Sequence, residues 1–156
     1  MIEQYTGKKK DKERLFGFVS EGVDSDFYLT ENNQRIFQFD RPSFNKLMRS
    51  SIATYYLQDR GDVVGIGIVW KSKSGEVSRY YVKIKSKDSN VAKDILTVIL
   101  WNSPVKTLHA KLNKDSRYFK IFTYKGFKWF HGRGKEILLS RTELRDKNIR
   151  ISKEES

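Results

Sequence analysis

The chain has 156 residues, 31 Lys and Arg against 19 Asp and Glu (formal net charge +12), and 38% hydrophobic and 13% aromatic residues, the balance of a folded domain with a real core. Cysteine is absent, which excludes disulfides, thiolate catalysis and cysteine metal sites, and only His109 and His131 could supply imidazole. No apolar run approaches the length of a membrane span and the first residues are not a signal peptide, so the expectation is a soluble, cytoplasmic protein with no metal and no membrane contact.

The positive charge favours anionic partners such as nucleotides, nucleic acids or acidic proteins, although lysine-rich surfaces also serve solubility. Part of it sits at the ends. Lys8, Lys9, Lys10, Lys12 and Arg14 suggest a basic tail over residues 1–14. Arg145, Lys147, Arg150 and Lys153 suggest a charged tail over 143–156, leaving a single domain over 15–142.

In chain order, Arg14 to Ser20 suggests a short strand, Asp24 to Glu31 is ambiguous, and Gln34 to Phe39 alternates like a strand. Asp40-Arg41-Pro42 starts a helix whose apolar face is Phe44, Leu47 and Met48. Ala53 to Gln58 and Val63 to Lys71 read as strands joined by a hairpin turn at Asp59-Arg60-Gly61-Asp62. A turn at Lys73-Ser74-Gly75 leads to a strand over Val77 to Lys85. The next helix carries Val91, Ile95, Val98 and Ile99 at helical spacing and ends at Asn102-Ser103-Pro104. A strand over Val105 to Leu112 precedes a helix capped by Asp115 or Ser116, running to Lys125 and stopped by Gly126. Two strands, Phe127 to Phe130 and Glu136 to Ser140, close the chain around a turn at Gly132-Arg133-Gly134. This order describes an α/β (α+β) domain with a mixed sheet.

The most informative segment runs from Val82 to Leu96, where a strand passes through a short basic loop into an amphipathic helix. The first amides of such a helix lack internal partners and its dipole is positive at that end, an arrangement suited to phosphate or pyrophosphate.

Lys87-x-x-Asn90-x-Ala92 stands in the frame of the Q/R-x-x-G-x-G/A phosphate loop of the GNAT superfamily of acyl-CoA-dependent N-acetyltransferases, and the chain resembles a divergent member of it. Val82 and the pair Ile95-Leu96 fall where that family carries its strand valine and helix aliphatics. Asp115 to Phe127 resembles its N-x-x-A-x-x-x-Y-x-x-x-G-F element, with Gly126-Phe127 intact, and Glu136 to Arg141 resembles its last strand. The resemblance covers roughly residues 40 to 142. It implies a mixed, mostly antiparallel sheet flanked by helices, with acetyl-CoA or another acyl-CoA as cofactor. Val82, Ile84, Lys85, Lys87, Asp88, Ser89, Asn90, Val91, Ala92 and Lys93 would be cofactor-binding residues. Among the lysines, Lys83, Lys85, Lys87 and Lys93 would meet the phosphates of CoA.

Three departures stand out. Lys87 keeps positive charge without the planar fork of arginine. Asn90 replaces a glycine, with a left-handed backbone expected there at some strain. Phe122 occupies the register of the family's tyrosine acid, leaving Tyr118, one turn earlier, as the substitute. Tyr80 and Tyr81 are further catalytic candidates, but strand alternation lets at most one of them face a cleft. Glu76 is a candidate base near a turn, and a lone His109 between Leu108 and Ala110 suits a structural role.

The expected function is transfer of an acetyl or small acyl group to an amine by direct attack, on an acceptor that could be an anionic partner such as nucleic acid. Basic and aromatic residues interleave at Lys125, Phe127, Lys128, Trp129, Phe130, His131, Arg133 and Lys135. The alternative is a non-enzymatic module of the same fold that binds nucleic acid or an acidic protein.

Overall fold

A computed structural model describes residues 1–74, 77–103 and 105–143 of the chain. Strand β1 (Ile2–Gln4), helix α1 (Lys9–Ser20), the short strands β2 (Leu29–Glu31) and β3 (Gln34–Ile36) and helix α2 (Arg41–Ser50) come first. The central strands are β4 (Ser51–Asp59), β5 (Asp62–Ser74) and β6 (Val77–Ser86), followed by helix α3 (Ser89–Asn102). Strand β7 (Thr107–Asn113), helix α4 (Phe119–Tyr124) and strands β8 (Lys128–Arg133) and β9 (Glu136–Thr142) complete the fold. Seven strands form one sheet in the order β1-β4-β5-β6-β7-β9-β8, and β2 and β3 form a separate hairpin. Every pairing is antiparallel except β6 with β7. The result is the mixed, mostly antiparallel sheet flanked by helices that the sequence leads one to expect.

The sheet separates two cores. On one face, Val82 and Ile84 of β6 pack with Ile95, Leu96 and Ile99 of α3 and with Phe122 of α4. On the other, Leu15 and Phe18 of α1 and Phe44 and Leu47 of α2 pack with Ile66 and Ile68 of β5. The β4–β5 turn uses Arg60 (φ 54°) and Gly61 (φ 85°), the two positive φ values that match hairpin twist. Asp40 caps α2 by accepting from the Ser43 N–H at 2.9 Å, as the Asp-Arg-Pro start suggests.

Strand β3 stops at Ile36 rather than Phe39, β8 runs on through Gly132 and Arg133 so that the turn falls after them, and two helices differ more. Residues 14–20 belong to a helix, because Leu15, Phe18 and Val19 are the buried positions and their spacing is helical. The charged run before them supplies the first turns of α1, and Ile2–Gln4 pair with β4, so residues 1–14 are part of the fold. Helix α4 starts at Phe119 and not at Asp115 or Ser116. Ser116 Oγ instead accepts the Tyr118 N–H at 3.1 Å, a local turn that competes with helix. The end of α4 matches expectation closely. Gly126 (φ 96°) donates to the Thr123 carbonyl and Phe127 to the Phe122 carbonyl, while the Phe122 and Phe127 rings meet edge to face at 4.9 Å. Residues 144–156 of the expected C-terminal tail lie outside the described residues, as do Gly75 and Pro104.

Helix α3 lies directly on β5 because Gly65 and Gly67 present no side chains there. A Cβ on Gly67 would overlap Ile95 and come within 2.7 Å of Ile99, and one on Gly65 would overlap Val91. This close approach sets the height of α3 over the sheet, and with it the position of the helix start. Gly67→Ala should therefore cost about 1–3 kcal/mol of stability by overpacking, read as a lower urea midpoint. An unchanged midpoint would show that α3 is not held so tightly.

Candidate functional site

The site is built around the one parallel pairing of the sheet among the described residues. Strand β6 is paired with β5 along its length, from Val77 to Ser86, but it meets β7 through the register pair Tyr81–His109. Beyond that pair β7 follows β9 from Thr107 to Asn113. The edge of β6 over residues 82–86 therefore has no ladder partner on the β7 side among the described residues. At its end, Lys87 continues the β5 pairing through its N–H to the Val64 carbonyl (2.9 Å), and α3 begins at once.

Asp88 is the N-cap of α3, its carboxylate accepting the Val91 N–H at 2.9 Å. Ser89 and Asn90 form the first turn, and Asn90 is not among the residues with positive φ. The expected left-handed strain is absent, because the loop closes through an Asp cap rather than through a glycine-type turn. Lys87, Asp88, Ser89, Asn90 and Lys93 are exposed around the helix start, and Val91 is half-buried. Val82 and Ile84 are almost wholly buried under α3, and Ala92 is buried on the core side of α3 itself. They shape the wall of the loop and present no side chain to a ligand.

Strand alternation divides β6 into two chemically different faces. Val82, Ile84 and Ser86 face α3, whereas Tyr81, Lys83 and Lys85 face α1 and α2. Lys83 and Lys85 are thus corrected as phosphate ligands at the start of α3. The Lys85 ammonium donates to the carbonyls of Phe18 (3.1 Å), Val19 (3.0 Å) and Glu21 (2.7 Å), closing the C-terminal end of α1 with positive charge. Lys83 is only 5% exposed and donates to the Tyr28 carbonyl at 3.0 Å, its ammonium 3.1 Å from the centre of the Tyr28 ring. Burial, then the charges of Lys111 and Arg35, pull its pKa well below that of an ordinary lysine. The signal for both was the even–odd alternation of Tyr81-Val82-Lys83-Ile84-Lys85, which puts the lysines on the face away from α3.

The three tyrosine candidates occupy different places. Tyr81 lies on the α2 side, stacked on Trp70 (centroids 5.7 Å apart, 27° between planes) and against His109. Tyr80 is half-buried against the α3-side core. Tyr118 is 1% exposed at the end of β6. Its hydroxyl accepts the Ser86 N–H (3.0 Å) and a bond from Arg117 Nη2 (2.6 Å), and donates to Asp24 Oδ2 (3.1 Å). Arg117 Nη2 also donates to the Ser86 carbonyl at 2.6 Å. Both backbone groups of Ser86 are therefore taken by side chains, and Tyr118 and Arg117 join the end of β6 to the loop after α1. His109 is 7% exposed with its Nδ1 unpartnered, and burial, then the Arg79 charge, lower its pKa. Glu76 lies outside the described residues.

Two concavities flank the diverging strands. One of about 610 Å³ opens between the Glu21–Asp26 loop, Lys85, Asn113 and Arg117. The other, about 250 Å³, lies on the α2 side between Tyr28, Trp70, Tyr81, Lys83 and Lys111, so its floor spans both β6 and β7. In the last hairpin, Trp129 and Phe130 are exposed, with the Lys114 ammonium 5.6 Å from the Trp129 ring and Arg79 5.7 Å from that of Phe130, while Phe127 is core. No helix among the described residues is long and apolar enough to cross a membrane.

No protein-family model and no curated protein matches the sequence. Solved structures do. The ribosomal-protein-alanine N-acetyltransferase from Brucella melitensis aligns with a TM-score of 0.65 at 13% identity, over 91% of this chain and 99% of its own. An acetyltransferase of the GNAT family from Streptococcus pneumoniae aligns with a TM-score of 0.64 at 12% identity, over 92% and 99%. The yncA protein from Salmonella typhimurium, solved with its cofactor acetyl-CoA, aligns with a TM-score of 0.63 at 11% identity, over 90% and 93%. The chain has the GNAT fold.

Removing the Tyr118 hydroxyl strands the buried Ser86 N–H and takes one of its donors from the Asp24 carboxylate, which keeps Arg117 and the Asp26 N–H. Tyr118→Phe should cost about 1–3 kcal/mol in urea unfolding, and a change within error would show that the brace carries little. The lowered pKa of His109 means that, below its unfolded value of 6.5, the unfolded chain binds more protons than the folded one. Its contribution is fully present above pH 6.5 and is lost as pH falls toward the folded value. His109→Gln should flatten that part of the stability–pH curve, and a curve of unchanged slope would refute the assignment.

Proposed function

We propose that this protein is an acyl-CoA-dependent N-acyltransferase that transfers an acetyl or small acyl group to an amine. The observation that carries this proposal is the parallel β6–β7 pair that diverges beyond Tyr81–His109, with the start of α3 directly after β6. An elongated cofactor fits that geometry. Its pyrophosphate would lie at the amides of Ser89 and Asn90 beside Lys87 and Lys93, and its arm would follow the unpaired edge of β6 toward the α2-side pocket. The GNAT fold of the chain, and the acetyl-CoA bound to the Salmonella structure of that fold, support the same reading.

In the reaction so proposed, the amine nitrogen attacks the thioester carbonyl, the C–N bond forms and the C–S bond breaks. The ammonium must lose its proton first, and the leaving thiolate must gain one. Most of the acceleration comes from holding the two reactants together. Tyr81, beside the crossing and on the pocket side, is the hydroxyl we assign to the reacting end. Tyr118 serves by bracing the end of β6, since its own proton is directed at Asp24. Tyr80, packed under α3, takes no part.

A second reading is favoured by specific observations. The Asp88 carboxylate occupies the helix start that a pyrophosphate would use, and Tyr118 and Arg117 close the Ser86 end of the strand edge. Both would suit a scaffold of the same fold that binds an anionic macromolecule without catalysis. The exposed Trp129 and Phe130 among lysines support nucleic acid as that partner.

Acetyl-CoA titrated calorimetrically separates the two. An acyltransferase gives saturable binding, weakened by Lys87→Glu. Asp88→Asn keeps the cap while removing the negative charge beside the phosphates, and should tighten binding about five-fold. Absence of saturable binding at millimolar acetyl-CoA would exclude the enzyme. Steeply salt-dependent binding of a single-stranded oligonucleotide would then support the module.

A further inference from the structure

The α2-side pocket has a composition that its position alone does not require. Four lysines line it (Lys46, Lys71, Lys83 and Lys111) and none of its lining residues is acidic. Of the four, Lys46 is paired with Glu31 at 2.9 Å, leaving Lys71, Lys83 and Lys111, while Glu136 is held by Arg35 and Asp26 by the backbone and side-chain amides of Asn113. Lys83 lies at the bottom, 5% exposed, with the Tyr28 carbonyl as its hydrogen-bond acceptor. An ammonium has three protons to donate, and two rows away Lys85 places its own on three carbonyls. Besides that one carbonyl the Lys83 ammonium faces, among the described residues, only the rings of Tyr28 and Trp70, 3.1 and 4.7 Å from their centres, and burying a lysine with one hydrogen-bond acceptor is costly unless something else completes its shell. The walls are aromatic, with Trp70 stacked on Tyr81 and the Tyr28 ring beside Lys83. Burial, reinforced by the Glu136 charge, pushes the Tyr28 phenol up to about 12, so it stays neutral beside any anion. A volume near 250 Å³ admits one ring with small substituents.

We infer that this pocket binds a small aromatic anion, whose ring packs on Trp70 and Tyr81 and whose charged group completes the hydrogen bonds of Lys83 beside Lys111. Resting on the acyltransferase reading, this ligand is the acceptor, an amine that carries its own carboxylate or phosphate. The floor spans β6 and β7 where they diverge, so such an amine would meet a thioester arriving between the strands.

The test uses probes of one shape and three charges, titrated into the full-length protein without CoA: 4-aminobenzoate (anion), 4-aminobenzamide (neutral) and 4-aminobenzamidine (cation), with phenyl phosphate to tell phosphate from carboxylate. At least one of the two anions should bind saturably, at least ten-fold more tightly than the amide or the amidine. Lys83→Met, which removes the buried charge and keeps an apolar stem, should fold and lose the preference for anions. Lys111→Met, at a half-buried position, should weaken it and serves as the second variant if Lys83→Met fails to fold. Equal or tighter binding of the amide or amidine, no binding of either anion, or an unchanged preference in the variants would overturn the inference. Because CoA is omitted, these outcomes are distinct from failure of the acetyl-CoA titration, which would remove the acceptor role and leave the anion site standing.

Discussion

The whole arrangement depends on two neighbouring strands being held by different partners. β6 is committed to β5 over its full length and β7 to β9, so the two can touch at Tyr81–His109 and then separate. A parallel pair zipped from end to end would leave no edge and no opening between the two faces of the sheet. The glycines of β5 complement this split. By letting α3 rest directly on the sheet, they place the first turn of the helix at the end of the unpaired edge. One local choice in strand pairing and one in side-chain size thus bring together a free backbone edge, a helix start and a passage to the opposite face.

On that opposite face the two buried lysines show how burial sorts chemistry. Lys85 is saturated by three carbonyls at the end of α1 and acts as mortar between helix and strand. Lys83, two residues earlier on the same face, has far fewer acceptors and opens into a cavity ringed by other cations. The same residue type is structural in one place and receptive in the other. Tyr118 belongs with Lys85: a buried hydroxyl with its bonds filled ties β6, α4 and the loop after α1 into one unit.

Much of the fold was legible because its signals are local. Asp40 before Arg-Pro starts α2, Arg60-Gly61 turns the central hairpin, and Gly126-Phe127 closes α4 with a full set of terminal hydrogen bonds. The readings that changed depended on which of two periods a short apolar cluster follows. Leu15, Phe18 and Val19 fit a helix once the charged run before them is counted as its solvent face. At the site, the alternation that split Tyr80 from Tyr81 also split the lysines from the loop they seemed to adjoin. The brace of Tyr118, Arg117 and Asp24 was not readable, because its partners lie more than 90 residues apart in the chain and meet only through the tertiary fold.

The central claim is that a CoA-type cofactor lies along the free edge of β6 and ends on the first turn of α3. Backbone amide NMR during a titration with CoA tests it most directly. The account predicts saturable shifts at Ser89, Asn90 and Val91 and along Val82 to Lys85, with the β8–β9 hairpin unmoved. Shifts confined to that hairpin, or none at millimolar CoA, would contradict it.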